Sequence, residues 1–385
     1  MTTYPTYKLG NVARSTKGKK PKTISKEKMN GFEIPYVDIK AFEKGIIDNY
    51  TDGENCTFCT PDDVLIVWDG ARCGFVGRGI EGAIGSTLAK ISSEEYTNDY
   101  LFYFLQSKYK VLNSNPRGVG IPHIEPNLLW NFEIPDIDKS IQHQIVSRIE
   151  SLFAELDKAV EHLRTAQQQL KTYRQAVLKS AFEECREMKK VLELSSVVTS
   201  GSRGWAKYYT DNKDARFVRI TDLTRDKITL QNNNIQYISL PQNVEGKRSL
   251  LQPNDVLVSI TADLGSIALV PSNIGEAYIN QHIAMIRFKN SKQGKFMAYY
   301  LRSDYGQRSL LKNKRGGGKL GLGLDDIRNT YIPFVNDEEA NEIVYKIETR
   351  LSEAEAAEAR IAEALQKTEA LRQSILKKAF SGELV

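Results

Sequence analysis

From Ile141 to Ala181 the apolar residues return at alternating steps of three and four along the chain. Ile145, Leu152, Ala159, Ala166 and Tyr173 hold one heptad position and Ile149, Leu156, Leu163, Leu170 and Val177 the other, the pattern of a coiled-coil seam. A second run near the C-terminus carries Ile343, Ile347, Ala354, Ala357, Ile361, Ala364, Leu371 and Ile375 in the same rhythm, with Arg350 and Thr368 interrupting the seam. The pattern predicts two helices of roughly 40 to 45 residues, each on the order of 60 to 65 Å long. Two such segments in one chain are most economically paired with each other. Antiparallel pairing would put one globular domain at each end.

The helices are copies of each other. Ile134-Pro135, Ile145-Val146, Ile149-Glu150, Arg174-Gln175, Leu178-Lys179 and Ala181-Phe182 recur as Ile332-Pro333, Ile343-Val344, Ile347-Glu348, Arg372-Gln373, Leu376-Lys377 and Ala379-Phe380, always 198 residues later. A gapless match of this length means that the helix length itself is kept, as a spacer requires. Ahead of the helices the correspondence is looser. Pro61 to Val67 matches Pro253 to Ser259, Tyr36 to Ile39 matches Phe217 to Ile220, and Phe104 to Ser107 matches Tyr300 to Ser303. The loops diverge: Gly118 to Ile124 stands opposite Gly316 to Leu322, and Ser15 to Lys22 opposite Gly201 to Tyr208. One scaffold with two surfaces suits two ligands or two sequences. The expected fold is α+β, an internal pseudo-twofold duplication with two tandem mixed α/β domains (1–138 and 187–335). A central helix (139–186) and a C-terminal helix (336–385) link and close them as an antiparallel coiled coil.

Composition narrows the function mainly by exclusion. The 385 residues carry a net charge of only +5, with bases gathered in loops and acids in the helices. No stretch approaches the roughly 18 consecutive apolar residues of a membrane span, and the opening MTTYPTYKLG lacks a secretory apolar run, so a cytoplasmic protein is expected. Cys56, Cys59, Cys73 and Cys185 suit a reducing compartment. Cys56-Thr-Phe-Cys59 has the spacing of a zinc knuckle or redox pair, yet no second CxxC or CxxH completes it. Neither a glycine-rich cofactor loop with an Asn/Asp-Pro-Pro-aromatic segment nor a Walker A motif is present. Asp62-Asp63 precedes Val-Leu-Ile-Val, which reads as a turn feeding a buried strand rather than a nuclease carboxylate pair. His123, His143, His162 and His282 show no paired spacing. No catalytic residue and no metal site are expected.

What remains is electrostatic. The loops Arg14 to Lys22, Ser202 to Tyr209 and Lys312 to Lys319 join Lys and Arg with glycine, which permits close backbone approach to phosphates. The candidate DNA contacts are Lys17, Lys19, Lys20, Lys22 and Arg117 in the first domain. In the second they are Arg203, Trp205, Lys207, Tyr208, Lys312, Lys314, Arg315 and Lys319. Trp205, Tyr208 and Tyr209 are candidates to pack on sugars or thymine methyls, and Asn115 and Gln231 to read adenine. The helix seam, through Ile145, Ile149, Leu152, Leu156, Leu163, Leu170, Ile343, Ile347, Ile361, Leu371 and Ile375, is the candidate partner interface.

In order, these residues are a variable domain, a helix led by Ile-Pro and ending in Arg-Gln-x-x-Leu-Lys-x-Ala-Phe, a second variable domain, and a helix closed by Ala379-Phe380-Ser381-Gly382-Glu383-Leu384. That order resembles the specificity subunits of type I restriction-modification systems over the whole chain. The resemblance implies two target recognition domains, each reading half of a split double-stranded DNA target. It implies helices that set the spacer and dock two modification subunits, with two restriction subunits completing the complex. S-adenosylmethionine, ATP and Mg2+ would serve those partners, and this chain would hold no cofactor. One departure is the usual Leu-Pro-Pro-Leu-x-Glu-Gln lead into each helix, replaced here by Ile134-Pro135-Asp136-Ile137 and Ile332-Pro333-Phe334-Val335. Two alternatives stay open: the recognition part of a related fused restriction-methylation enzyme, and a coiled-coil scaffold whose end domains bind proteins.

Overall fold

Strands buried on both faces read as unbroken apolar runs, and Val64 to Val67 behaves so: Val64 and Ile66 enter one core while Leu65 and Val67 enter another. Val256 and Val258 do the same against Leu257 in the matching run. The computed structural model describes residues 4–118, 120–242, 246–312 and 321–384. It divides into two units, Met1–Arg164 with Ala362–Val385, and Thr165–Ile361.

The first unit opens with β1 (Thr6–Lys8), α1 (Leu9–Val12) and β2 (Arg14–Lys17). It continues through β3 (Ile34–Val37), α2 (Ile39–Lys44), β4 (Tyr50–Thr51), β5 (Thr57–Cys59), β6 (Val64–Val67), β7 (Val76–Arg78), β8 (Gly82–Ile84) and β9 (Leu88–Ser92). Then come α3 (Asn98–Ser114), α4 (Pro126–Trp130), β10 (Glu133–Pro135) and the long α5 (Lys139–Ala181). An antiparallel sheet runs β2-β9-β6-β7, a second runs β4-β3-β8-β5 with β3 and β8 parallel, and β1 pairs with β10.

In the second unit the order recurs as β11 (Met188–Lys190), α6 (Val191–Leu194), β12 (Ser195–Ser200), β13 (Tyr209–Thr210), β14 (Ala215–Val218), β15 (Tyr237–Ile238) and β16 (Val256–Ser259). After these come β17 (Ile267–Leu269), β18 (Ala277–Ile279), β19 (Ile283–Phe288), α7 (Gly294–Arg302), α8 (Asp304–Leu311), α9 (Leu324–Arg328), β20 (Tyr331–Pro333) and α10 (Asp337–Phe380). The sheet β12-β19-β16-β17 repeats β2-β9-β6-β7 strand for strand, and β11 pairs with β20 as β1 does with β10. Asp63 and Asp255 share one turn role. Each takes a backbone N–H three residues back, from Thr60 at 2.8 Å and from Gln252 at 2.7 Å.

Each unit holds one stretch of α5 and one of α10. In the second, Arg174 reaches Glu358 at 2.7 Å, while Ala181 and Cys185 lie beside Glu339 and Ile343, so the helices run antiparallel there. In the first, Arg372 pairs with Asp157 and lays its guanidinium 4.7 Å over the Phe153 ring. The Ala-Phe pair at each helix end anchors a core: Phe182 meets Phe296 and Tyr300 edge-on, and Phe380 meets Tyr100 and Phe104.

The seam differs from the expected one in phase. The inward positions of α5 are Ile149, Phe153, Leu156, Val160, Leu163, Gln167, Leu170, Arg174, Val177 and Ala181; those of α10 start at Ile347 and Leu351 and keep the same steps to Arg372, Ile375 and Ala379. Ile145, Leu152, Ile343 and Ile361 remain buried or half-buried, but Ala159, Tyr173, Arg350 and Leu371 are exposed. Leu371 therefore does not belong to the seam. An apolar count passes over Arg174 and Arg372 because they are charged. Their aliphatic stems fill the interface while the guanidinium groups reach an acid on the other helix. Substituting Tyr173 or Leu371 by serine should move stability by no more than about 0.5 kcal/mol in denaturant titrations. A loss several times larger would restore the expected phase.

Candidate nucleic-acid interface

Both units place their basic loop through a glycine held against the sheet. A side chain at Gly18 would meet the Gly85 and Ile84 carbonyl oxygens at 2.2 and 2.4 Å, and one at Gly201 would meet those of Ile279 and Asn280 at 1.9 and 2.4 Å. No larger residue fits either place. Gly201 thus stands opposite Gly18, rather than opposite Ser15 as the loose sequence alignment had it. The bulge between Ser195 and Val197 in β12 adds one residue to this spacing.

Beyond Gly201 lies an open groove of about 830 Å³. Arg203, Lys207 and Arg248 line it with Ser202, Tyr208, Thr261 and Gln281, and no carboxylate is among its described lining residues. Three unopposed cations around a polar floor suit a polyanion. On that floor Gln281 Nε2 lies 2.9 Å from His282 Nε2, and Thr261 Oγ1 2.6 Å from His282 Nδ1.

The first unit fills the equivalent place differently. Asp69 follows β6 by two residues, as Thr261 follows β16, and makes the same kind of backbone bridge, to His123 where Thr261 bridges Gly321. Its carboxylate accepts from Lys17 Nζ at 2.8 Å and lies 2.7 Å from His123 Nδ1. Arg117 and His123 exchange backbone hydrogen bonds of 2.8 and 2.9 Å. Lys19, Lys20, Lys22 and Arg117 are exposed and make no ion pair among the described residues.

Several expected contacts change. Trp205 is only 4% exposed and packs against Phe217 and Tyr278, so it backs the groove instead of presenting its ring to a ligand. An indole gains more area under the sheet than on a loop. Tyr208 is half-buried, with the Lys207 ammonium 5.0 Å from its ring centroid. Asn115 turns back to the Val111 carbonyl at 2.9 Å. Lys312 is exposed after α8, whereas Lys314, Arg315 and Lys319 lie outside the described residues. Sequence reasoning missed Arg248, Thr261, Gln281 and Asp69. The available signal was that Thr261 and Asp69 directly follow the two matched strands.

The Cys56-x-x-Cys59 pair does not gather ligands. Among the described residues no three His, Cys, Asp or Glu side chains are placed to hold a metal, and Cys59 gives its thiol to the Ile80 carbonyl at 2.8 Å. Burial pushes the Cys59 thiol above its ordinary value, away from the reactive thiolate. Among the described residues no helix is long and apolar enough to cross a membrane.

A repeated frame with a glycine-anchored basic loop and a differing polar floor in each copy defines a duplicated recognition module. The chain belongs to the family described as the type I restriction modification DNA specificity domain, whose model matches residues 1–163 and again 187–367; its function is to recognise DNA for such a system. It is 25% identical to the specificity subunit of the type I restriction enzyme EcoBI from Escherichia coli, over 91% of this chain and 80% of that one. It is 26% identical to the MjaVIII specificity subunit from Methanocaldococcus jannaschii, over 89% and 84%. In fold it is similar to a chain from a type I restriction-modification assembly (TM-score 0.73, 21% identity, 99% and 98% covered). It is also similar to the HsdS subunit of Thermoanaerobacter tengcongensis (TM-score 0.60, 20% identity, 99% and 97% covered).

Proposed function

We propose that each unit reads one half of a bipartite duplex target, and that α5 and α10 set the unread spacer and dock two modification subunits. The observation that carries this reading is the pair of floors at equivalent places, Thr261 with His282 and Gln281 in one copy and Asp69 with Lys17 and His123 in the other. Identical floors would serve a symmetric target, whereas different ones serve two unlike half-sites. The cations around them supply sequence-independent phosphate attraction. The chain itself catalyses nothing. Modification subunits would use S-adenosylmethionine to methylate adenine, two restriction subunits would use ATP and Mg2+, and the complex would work in the cytoplasm.

The test is to sequence the methylated DNA of cells expressing this chain with its modification subunit, against cells lacking the chain. A split motif methylated in both halves is expected. Exchanging residues 1–138 for those of another family member should change one half only. A change in both halves, or an active partner that leaves no motif, would overturn the reading.

A further inference from the structure

We propose that Gln281 is the residue by which the second unit reads an adenine in its half of the target. The inference rests on the reading of the groove as a seat for duplex DNA. It adds which side chain reads, and which base.

The hydrogen bonds fix the chemistry. Gln281 Nε2 lies 2.9 Å from His282 Nε2, and an amide N–H donates but cannot accept, so the ring nitrogen is the acceptor. The neutral imidazole then carries its proton on Nδ1 and donates it to Thr261 Oγ1 at 2.6 Å. His282 is itself held, its backbone N–H donating to Asn280 Oδ1 at 3.1 Å. The amide of Gln281 is therefore held through its nitrogen. It leaves Oε1 as an acceptor beside one free N–H.

That pair complements a donor beside an acceptor on a single base edge. In the major groove only adenine offers it, through N6 and N7; guanine shows two acceptors, cytosine a donor and thymine an acceptor beside a methyl. Gln281 lines the groove whose cations are Arg203, Lys207 and Arg248, so phosphates held there would bring base edges to the amide. In the first unit the position equivalent to Gln281, two residues after β8 as Gln281 is two after β18, is Ser86, and Asp69, which stands opposite Thr261, has its carboxylate engaged by Lys17 and His123. The adenine reader is thus particular to one half-site.

The experiment is methylation-motif sequencing of the assembled complex with variant chains. Gln281→Ala should relax one adenine position in one half-site, weakening the preference there by roughly ten- to hundredfold, with every other position intact. Gln281→Glu, nearly the same shape, should shift that position toward cytosine, because a carboxylate accepts from N4. Thr261→Val should loosen the same position by freeing the imidazole. An unchanged motif in both Gln281 variants would overturn the proposal, as would relaxation spread over both halves. If the alanine variant fails to assemble, the glutamate variant decides. A wild-type chain giving no split motif would remove the reading of the groove, and the inference with it.

Discussion

Replacing Arg287 by alanine is expected to destabilise the second unit by about 3 to 5 kcal/mol, since it strands a buried carboxylate. Asp255 is 1% exposed, and Arg287 meets it with both arms of the guanidinium, Nε to Oδ1 at 2.8 Å and an Nη to Oδ2 at 2.7 Å. Without the guanidinium, the Gln252 N–H at 2.7 Å is the one donor left to this carboxylate among the described residues, too little to solvate a charge. Hydrogen exchange should show the loss as weakened amide protection in β16 and β19. The double variant Asp255→Asn with Arg287→Met should recover most of it, because no unpaired charge is left. A single-variant loss under 1 kcal/mol would mean that the turn opens to water. The first unit is a useful contrast: the one cation that meets Asp63 among the described residues is Lys90 at 3.5 Å, and this carboxylate is more exposed, so Lys90→Ala should cost far less.

The second large effect concerns DNA. Each phosphate neutralised by a cation releases counterions, and the slope of log affinity against log salt is about 0.9 per contact on duplex DNA. Substituting Arg203, Lys207 and Arg248 together by alanine should make that slope shallower by about 2 to 3 and weaken binding to all sequences alike. Binding titrations between low and physiological salt with specific and scrambled duplexes would measure both. Lys346 and Lys367, paired with Glu342 and Glu363 on exposed positions of α10, serve as controls whose removal should leave the slope unchanged. An unaltered slope in the triple variant would place the DNA elsewhere and leave the groove without its assigned ligand.

The duplication was fully legible in the chain, because helix periodicity and the Ala-Phe ends are local and recur without gaps. The turn role of Asp62-Asp63 followed from the same kind of pattern, an acid before a buried apolar run. The seam was legible in outline only. Hydrophobic counting put Tyr173 and Leu371 inside, whereas packing preferred Arg174 and Arg372 because each finds an acid across the interface. Trp205 misled for a similar reason: a tryptophan in a basic loop reads as a contact until the loop is folded onto Phe217 and Tyr278.

By itself, then, the sequence determined that the chain is a repeated frame with two long helices, that its basic residues concentrate in loops, and to which family it is similar. These properties reside in periodicity, composition and motif, which are local along the chain. Only the tertiary structure decided which residues form each floor. Thr261, Gln281 and His282 come from different ends of neighbouring strands, and Lys17, Asp69 and His123 from segments more than 50 residues apart in the chain. The hydrogen bonds Thr261–His282, Lys17–Asp69 and Asp69–His123 exist only after the sheets pair and bring those segments together.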